Sequence, residues 1–356
     1  MSDIPTLNQR IEAFAMLGRI LQDCAWEHDG ESDLHPIVHE GIKKSLEHNH
    51  WFIPAHMNYA LEAIGKMLCK EKISQWVSHY NLPEPDDGKQ LNIGVIMAGN
   101  LPAVGFHDFL CVLISGNRIS AKLSSDDPFL LPAFAEVLER IHGGFGKLVS
   151  FNEDKNLSCD AVVATGSNNT ARYFDYMYAH VPHIFRRNRN GIAILSGKET
   201  PDDLQKLAMD IFLHFGLGCR NVSKLYLPAG YDFTNLIHAL HPGAYVGSHE
   251  PYMNNYRHSK AMLQMQGIGF IDNGFLLMLE SKAISSPVAV LHYEFYDDRA
   301  ILPILIAKSV EQIQCVAGNS EVYKNAIGFG KSQQPAINNY ADDVDTMDFI
   351  AGLGMH

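Results

Sequence analysis

Residues 91–123 read LNIGVIMAGNLPAVGFHDFLCVLISGNRISAKL. Three pieces of different period lie in this stretch. Ile93–Ala98 is an apolar run of strand length, about 102–115 carries apolar residues at helical spacing, and Ile119–Leu123 is a second short apolar run. The alternation continues downstream. Apolar runs at Leu148–Phe151, Ala161–Ala164 and Ile192–Leu195 are separated by helical stretches near 128–142, 168–180 and 201–216. Apolar strands with helices between them predict a parallel sheet covered on both faces. Such sheets receive ligands at the carboxyl ends of their strands, which singles out the loops after Ala98, Leu123 and Ala164.

On the amino-terminal side, residues 1–90 read as helical. Ile11, Phe14, Ala15, Leu17 and Leu21 recur at helical spacing, as do Tyr59, Leu61, Ile64, Met67 and Leu68. Trp51–Pro54 separates the two stretches, and Leu82–Gly88 is a turn-rich linker. On the carboxyl side a second set of runs appears at Val222–Leu227, Gly267–Ile271 and Val288–Tyr293, with helices near 231–240 and 308–316. The tail 331–356 reads as polar and irregular. The expected division is an N-terminal helical and dinucleotide-binding lobe at 1–196, a catalytic lobe at 197–325 and a tail at 326–356.

A chain of 356 residues is long enough for two cores, and 46% apolar with 19% charged residues is a globular balance. The net charge of -12 repels a phosphate backbone, so nucleic acid is not an expected partner. The start, MSDIPTLNQR, has no basic stretch followed by an apolar run, and no segment approaches the roughly 18 apolar residues of a spanning helix. A cytoplasmic protein without a membrane span is expected. The six cysteines, at 24, 69, 111, 159, 219 and 315, form no C-x-x-C pair, and the histidines form no H-E-x-x-H, so no metal site is expected. Gly330-Lys331-Ser332 fails as a phosphate-binding loop because Asn325 stands where its first glycine belongs. Gly216-Leu217-Gly218 starts a dinucleotide fingerprint, but Asn221 replaces its third glycine.

Phe215-Gly216-Leu217-Gly218-Cys219-Arg220-Asn221 carries the chemistry. A helical stretch ends in glycines that let a substrate approach the backbone, and a cysteine follows beside an arginine that favours its thiolate. The bland alternative is a buried cysteine at a helix end. Asn100, in Gly99-Asn100-Leu101-Pro102, stands at a strand end where its amide can stabilise an oxyanion; it reads equally as the cap of a helix with Pro102 in the first turn. Lys122 ends the next strand and can meet a nucleotide, or snorkel to solvent. Thr165-Gly166-Ser167 opens the following helix and is an anion-binding turn or a plain cap.

Together these pieces resemble the aldehyde dehydrogenase superfamily. Asn100 with Pro102 is similar to its oxyanion asparagine, Gly116-Asn117 followed by Lys122 to its second strand, Gly166-Ser167 to its pyrophosphate turn and Cys219 to its nucleophile. Glu294-Phe295 resembles its ribose-binding Glu-x-Phe without the spacer. Gly99–Asn117, Thr165–Asn190 and Gly216–Tyr226 more specifically resemble LuxC-type acyl-CoA reductases. The resemblance implies an α/β protein with a Rossmann-type cofactor lobe and an α/β catalytic lobe. It further implies catalytic Cys219 and Asn100, cofactor contacts at Lys122, Ser125, Gly166, Ser167 and Glu294, and reduction of an acyl-CoA to an aldehyde by a nicotinamide cofactor. Two departures matter. The segment 185–190, FRRNRN, has no glutamate base of the hydrolytic members, which suits a thiol partner; Arg186, Arg187 and Arg189 are candidates for CoA phosphates. Ser125 stands where a glutamate would repel a 2′-phosphate, tipping the balance to NADP(H) over NAD(H), with Asp126 and Asp127 pulling the other way. The chain lacks the extra arm of longer members, and a homodimer is the expected assembly. An acyl-phosphate or semialdehyde dehydrogenase, a cysteine acyltransferase or thioesterase without nicotinamide, and a non-catalytic binding module stay open as alternatives.

Overall fold

The computed structural model describes residues 4–26, 32–82, 90–154, 156–166 and 174–353. Two compact units share the chain: one comprises Met1–Arg187 with Ala336–His356, the other Asn188–Pro335.

The first unit opens with α1 (Leu7–Ala25), α2 (His35–His48), α3 (Pro54–Met67) and α4 (Lys70–Val77). Thr6 and Gln9 form a reciprocal capping box at the start of α1, and Pro54 stands in the first turn of α3. Then β1 (Asn92–Ile96), α5 (Phe106–Ile114), β2 (Arg118–Lys122), α6 (Leu130–Ile141), β3 (Val149–Asn152), β4 (Ala161–Thr165) and β5 (His183–Arg186) build an all-parallel sheet in the order β3-β2-β1-β4-β5. The strand order reverses between β1 and β4, which opens a ligand crevice at their carboxyl ends. The core runs from the amino-terminal helices through α5, every residue of which is buried except His107. Buried Arg10 ties α1 to the end of α5 through the Ile114 carbonyl (2.9 Å).

The second unit contains β6 (Asn190–Ile194), α7 (Pro201–Phe212), β7 (Val222–Pro228), α8 (Phe233–Ala239), α9 (Glu250–Met265), β8 (Ile271–Asp272), β9 (Leu277–Glu280), β10 (Val290–Tyr296), α10 (Leu302–Lys308) and β11 (Ile313–Gly318). Its sheet has the order β11-β6-β7-β10-β9-β8, parallel except for β8 against β9.

Several expectations change. The run at Ile192–Leu195, read with the first lobe, forms β6 of the second sheet. An apolar run reports burial, whereas the sheet it joins is set by distant register. The stretch 308–316 is not a helix; α10 ends at Lys308 and β11 begins at Ile313. The tail is not irregular, because Thr346–Leu353 forms α11, which packs in the first unit with Met347 and Ile350 buried. Tyr340 anchors this return, accepting from Trp76 Nε1 (2.8 Å) and sharing a hydroxyl contact with Tyr80 (2.6 Å), which donates to Asp345. Of the helix expected near 168–180, residues 168–173 lie outside the described residues, and 174–177 are helical. Among the described residues no helix is long and apolar enough to cross a membrane, and no group of His, Cys, Asp or Glu is placed to hold a metal.

Candidate active site

In the first unit the carboxyl ends of β1, β2 and β4 lie level, with Ile96 opposite both Lys122 and Ala164. The loops that follow carry Asn100, Ser125 and Gly166. Met97 N–H extends the pairing to the Lys122 carbonyl (3.0 Å). Gly99 lets the first two loops touch, since a Cβ there would stand 2.5 Å from Ser124 Cβ. Beyond exposed Asn100 the chain makes a turn in which Ala103 takes φ 51, and α5 starts only at Phe106 with Gly105 as its N-cap. The helix expected from 102 therefore begins later, and Asn100 does not cap it.

What fixes this turn is Asp127, which in the sequence stands out only as a nearby charge. Its carboxylate accepts from the Ala103 N–H (2.7 Å) and from Ser45 Oγ (3.3 Å) on α2. Burial pushes the Asp127 carboxyl up to about 6, against the pull of those hydrogen bonds. Asp127 thus faces inward at 6% exposure, while Asp126 and Ser125 are exposed. The Ser125 carbonyl accepts from His48 Nε2 (2.7 Å) and the Asp126 carbonyl from Asn49 Nδ2 (3.1 Å), so the end of α2 holds the loop after β2 from outside. Lys122, half-buried, donates to the Leu123 carbonyl (2.6 Å). Gly166 N–H reaches the Arg186 carbonyl (3.3 Å); Ser167 lies outside the described residues.

In the second unit the Cys219 segment is built backward from α7. After Phe212 the chain passes through His214 and Phe215, both with left-handed φ (52 and 57), and Gly216 at φ 75. Phe215 stacks on His249, with ring centroids 3.9 Å apart, and burial pushes His214 down to about 4, leaving it neutral at pH 7. Gly218-Cys219-Arg220-Asn221 then closes a turn through Asn221 N–H to the Gly218 carbonyl (3.0 Å). Cys219 is exposed. Of the other cysteines only Cys69 is exposed, on a Glu71 carboxylate in the first unit. Burial pushes Cys315 up to about 12 and raises Cys111 and Cys159, which leaves those three as protonated thiols.

Glu294 stands in the body of β10 with one carboxylate oxygen on Lys224 Nζ (2.5 Å), a lysine wholly buried on β7. Lys224 also donates to the Lys282 carbonyl (2.9 Å), and Ser223 to that of Ile284 (2.8 Å), fastening the loop before β10 to the start of β7. Arg186 is not available for CoA phosphates: it is 6% exposed, paired with Asp108 and bonded to Thr346 Oγ1 (2.7 Å). Arg189 reaches the Val310 and Ile313 carbonyls, and Arg187 is exposed.

No family model and no curated protein sequence matches the chain. Solved aldehyde dehydrogenases align with it, and its fold is theirs. Aldehyde dehydrogenase 21 from Physcomitrella patens, in complex with the reaction product succinate, aligns with a TM-score of 0.64 at 12% identity, over 98% of this chain and 87% of that one. A NAD-dependent benzaldehyde dehydrogenase from Corynebacterium glutamicum gives 0.60 at 13%, over 88% and 80%. The NAD+ complex of an aldehyde dehydrogenase from Bacillus cereus gives 0.59 at 12%, over 90% and 79%.

Proposed function

We propose that the protein reduces an acyl thioester, a fatty acyl-CoA in the leading case, to the aldehyde through an acyl-enzyme on Cys219. The observation that carries this reading is an exposed cysteine on a tightly bonded glycine turn of an aldehyde dehydrogenase fold. The absence of a carboxylate in the segment 185–191 to activate water adds weight.

In the proposed reaction the Cys219 thiolate attacks the thioester carbonyl and the Cys219 N–H holds the developing oxyanion; Asn100 is assigned as a second donor on the resemblance alone. Collapse expels the CoA thiolate and leaves the acyl-enzyme. Bound NAD(P)H supplies the hydride that reduces it. The resulting thiohemiacetal breaks its carbon–sulfur bond, releasing the aldehyde and restoring Cys219. The loops after β1 and β2 are close-packed, since Gly99 leaves no room for a Cβ beside Ser124, and the strand order reverses at β1/β4; both features fit a dinucleotide lying across strand ends. Lys122, Ser125 and Gly166 are the contacts assigned to it, and Ser167 joins them on sequence alone. Glu294 serves the ribose only by sharing its carboxylate between the sugar and Lys224. Exposed Ser125, with Asp127 turned inward, supports NADP(H) over NAD(H), while exposed Asp126 still opposes a 2′-phosphate.

Incubation with a radiolabelled acyl-CoA, followed by digestion, is expected to place the label on Cys219 and to leave Cys219→Ala unlabelled. Label on Cys69, or none on Cys219, would sink the reading. Fluorescence titration with NADPH separates a reductase from a cysteine acyltransferase, which binds no nicotinamide.

A further inference from the structure

We infer that Asn221 is the positioning residue of the nucleophile turn, its side-chain amide joining the end of α7 to Gly218 and so setting the direction of the Cys219 thiol; this rests on the reading of Cys219 as nucleophile. Asn221 is 2% exposed, and both ends of its amide are engaged. Oδ1 accepts the Gly218 N–H (2.8 Å). Nδ2 faces carbonyls released by the end of α7, at 3.0 Å from Asp210, 2.9 Å from Leu213 and 3.4 Å from Ile211. A helix leaves its last carbonyls without intrahelical donors, and here the donor comes from the turn that bears the cysteine.

The same turn is fastened from the opposite side. Gly191 N–H on β6 donates to the Asn221 carbonyl (2.9 Å), and Cys315 donates to the Arg220 carbonyl (3.7 Å). β6 can come this close only because residue 191 is glycine: a Cβ there would stand 2.6 Å from the Arg220 oxygen and 2.8 Å from that of Asn221. The backbone before and after Cys219 is therefore fixed by Asn221 on one side and by β6 on the other, while the Cys219 residue itself is exposed. A carboxylate in place of the amide keeps the shape but supplies no donor to the α7 carbonyls, and its charge would repel them.

The test is Asn221→Asp in the full chain, with two readouts. One is the pH profile of Cys219 alkylation by iodoacetamide, followed by peptide mass mapping. The other is turnover of an acyl-CoA. The alkylation midpoint is expected to shift by about half a pH unit or more. A fall in kcat of about 10- to 100-fold is expected, with KM moving less than about 3-fold. A purely structural cap would lower the melting temperature and leave both readouts at wild-type values; a folded variant with that behaviour overturns the inference. If Asn221→Asp does not fold, Gly191→Ala decides in its place: pressing on the same turn, it is expected to shift the alkylation profile, and an unshifted profile overturns the assignment. Alkylation needs no substrate. A wild type that takes no acyl label on Cys219 would remove the proposed function, while the alkylation profile would still judge Asn221.

Discussion

The turn at 100–105 in the first unit and the turn at 216–221 in the second are held by opposite kinds of group. Asp127, a buried carboxyl pushed up to about 6, grips the first through the Ala103 N–H. Asn221, a neutral amide, grips the second through the Gly218 N–H and the α7 carbonyls. A carboxylate can only accept, and suits a turn that offers an N–H. An amide accepts and donates, and suits a turn wedged against a helix end. The first anchor therefore changes charge within the working pH range and the second does not.

That contrast is broken most severely at Asn100. Asn100 is the proposed oxyanion donor. Asn100→Ala is expected to lower kcat by about 100-fold with little change in KM, because a lost oxyanion donor costs about 3 kcal/mol. Its melting temperature, measured alongside, separates that role from a structural one, which would cost about 1 kcal/mol of stability and leave kcat intact. A large loss of stability with kcat intact would remove Asn100 from the site.

Next in size is the anchor itself. Asp127 has its carboxyl raised from 3.8 to about 6 in the folded protein. Its contribution to stability is therefore fully present below the unfolded value and is lost as pH rises through about 6. The ionised form costs up to about 3 kcal/mol relative to the protonated one. Asp127→Asn keeps an acceptor for Ala103 and cannot ionise. Denaturant midpoints measured for both proteins from about pH 4 to about pH 8 should show wild type losing ground to the variant as pH rises. Parallel profiles would mean that Asp127 is solvated.

The smallest effect is expected at Ser125. Ser125→Glu should shift the kcat/KM ratio for NADPH over NADH toward NADH by about 10-fold, through repulsion of the 2′-phosphate. A wild type that prefers NADH, with no shift in the variant, would show that Ser125 does not face the ribose.

These anchors mark where sequence reading ran out. The alternation of strand and helix, the loops at the carboxyl ends of β1, β2 and β4, and the glycine turn before Cys219 were legible, because period and glycine placement are local signals. Asp127 and Asn221 were seen only as a stray charge and a missing glycine. Their roles depend on folded contacts that no local period reports, Ser45 and Ala103 for one and the α7 carbonyls for the other. Lys224 gives no sign of burial either, since a lysine in a strand normally points to water; Glu294 on the neighbouring strand and the Lys282 carbonyl make its position tolerable. Arg186 misled in the reverse sense: a run of arginines suggests a phosphate surface, yet the one ending β5 faces Asp108 and Thr346.

The return of residues 336–353 to the first unit has a consequence for biosynthesis. On the ribosome the second unit, 188–335, emerges whole while the first still lacks α11 and the Tyr340 anchor that joins Trp76 and Tyr80. The unit begun first is completed last. Until then Met347 and Ile350 leave their places in its core unfilled, and the unit begun first waits on residues 336–353 for its final wedge.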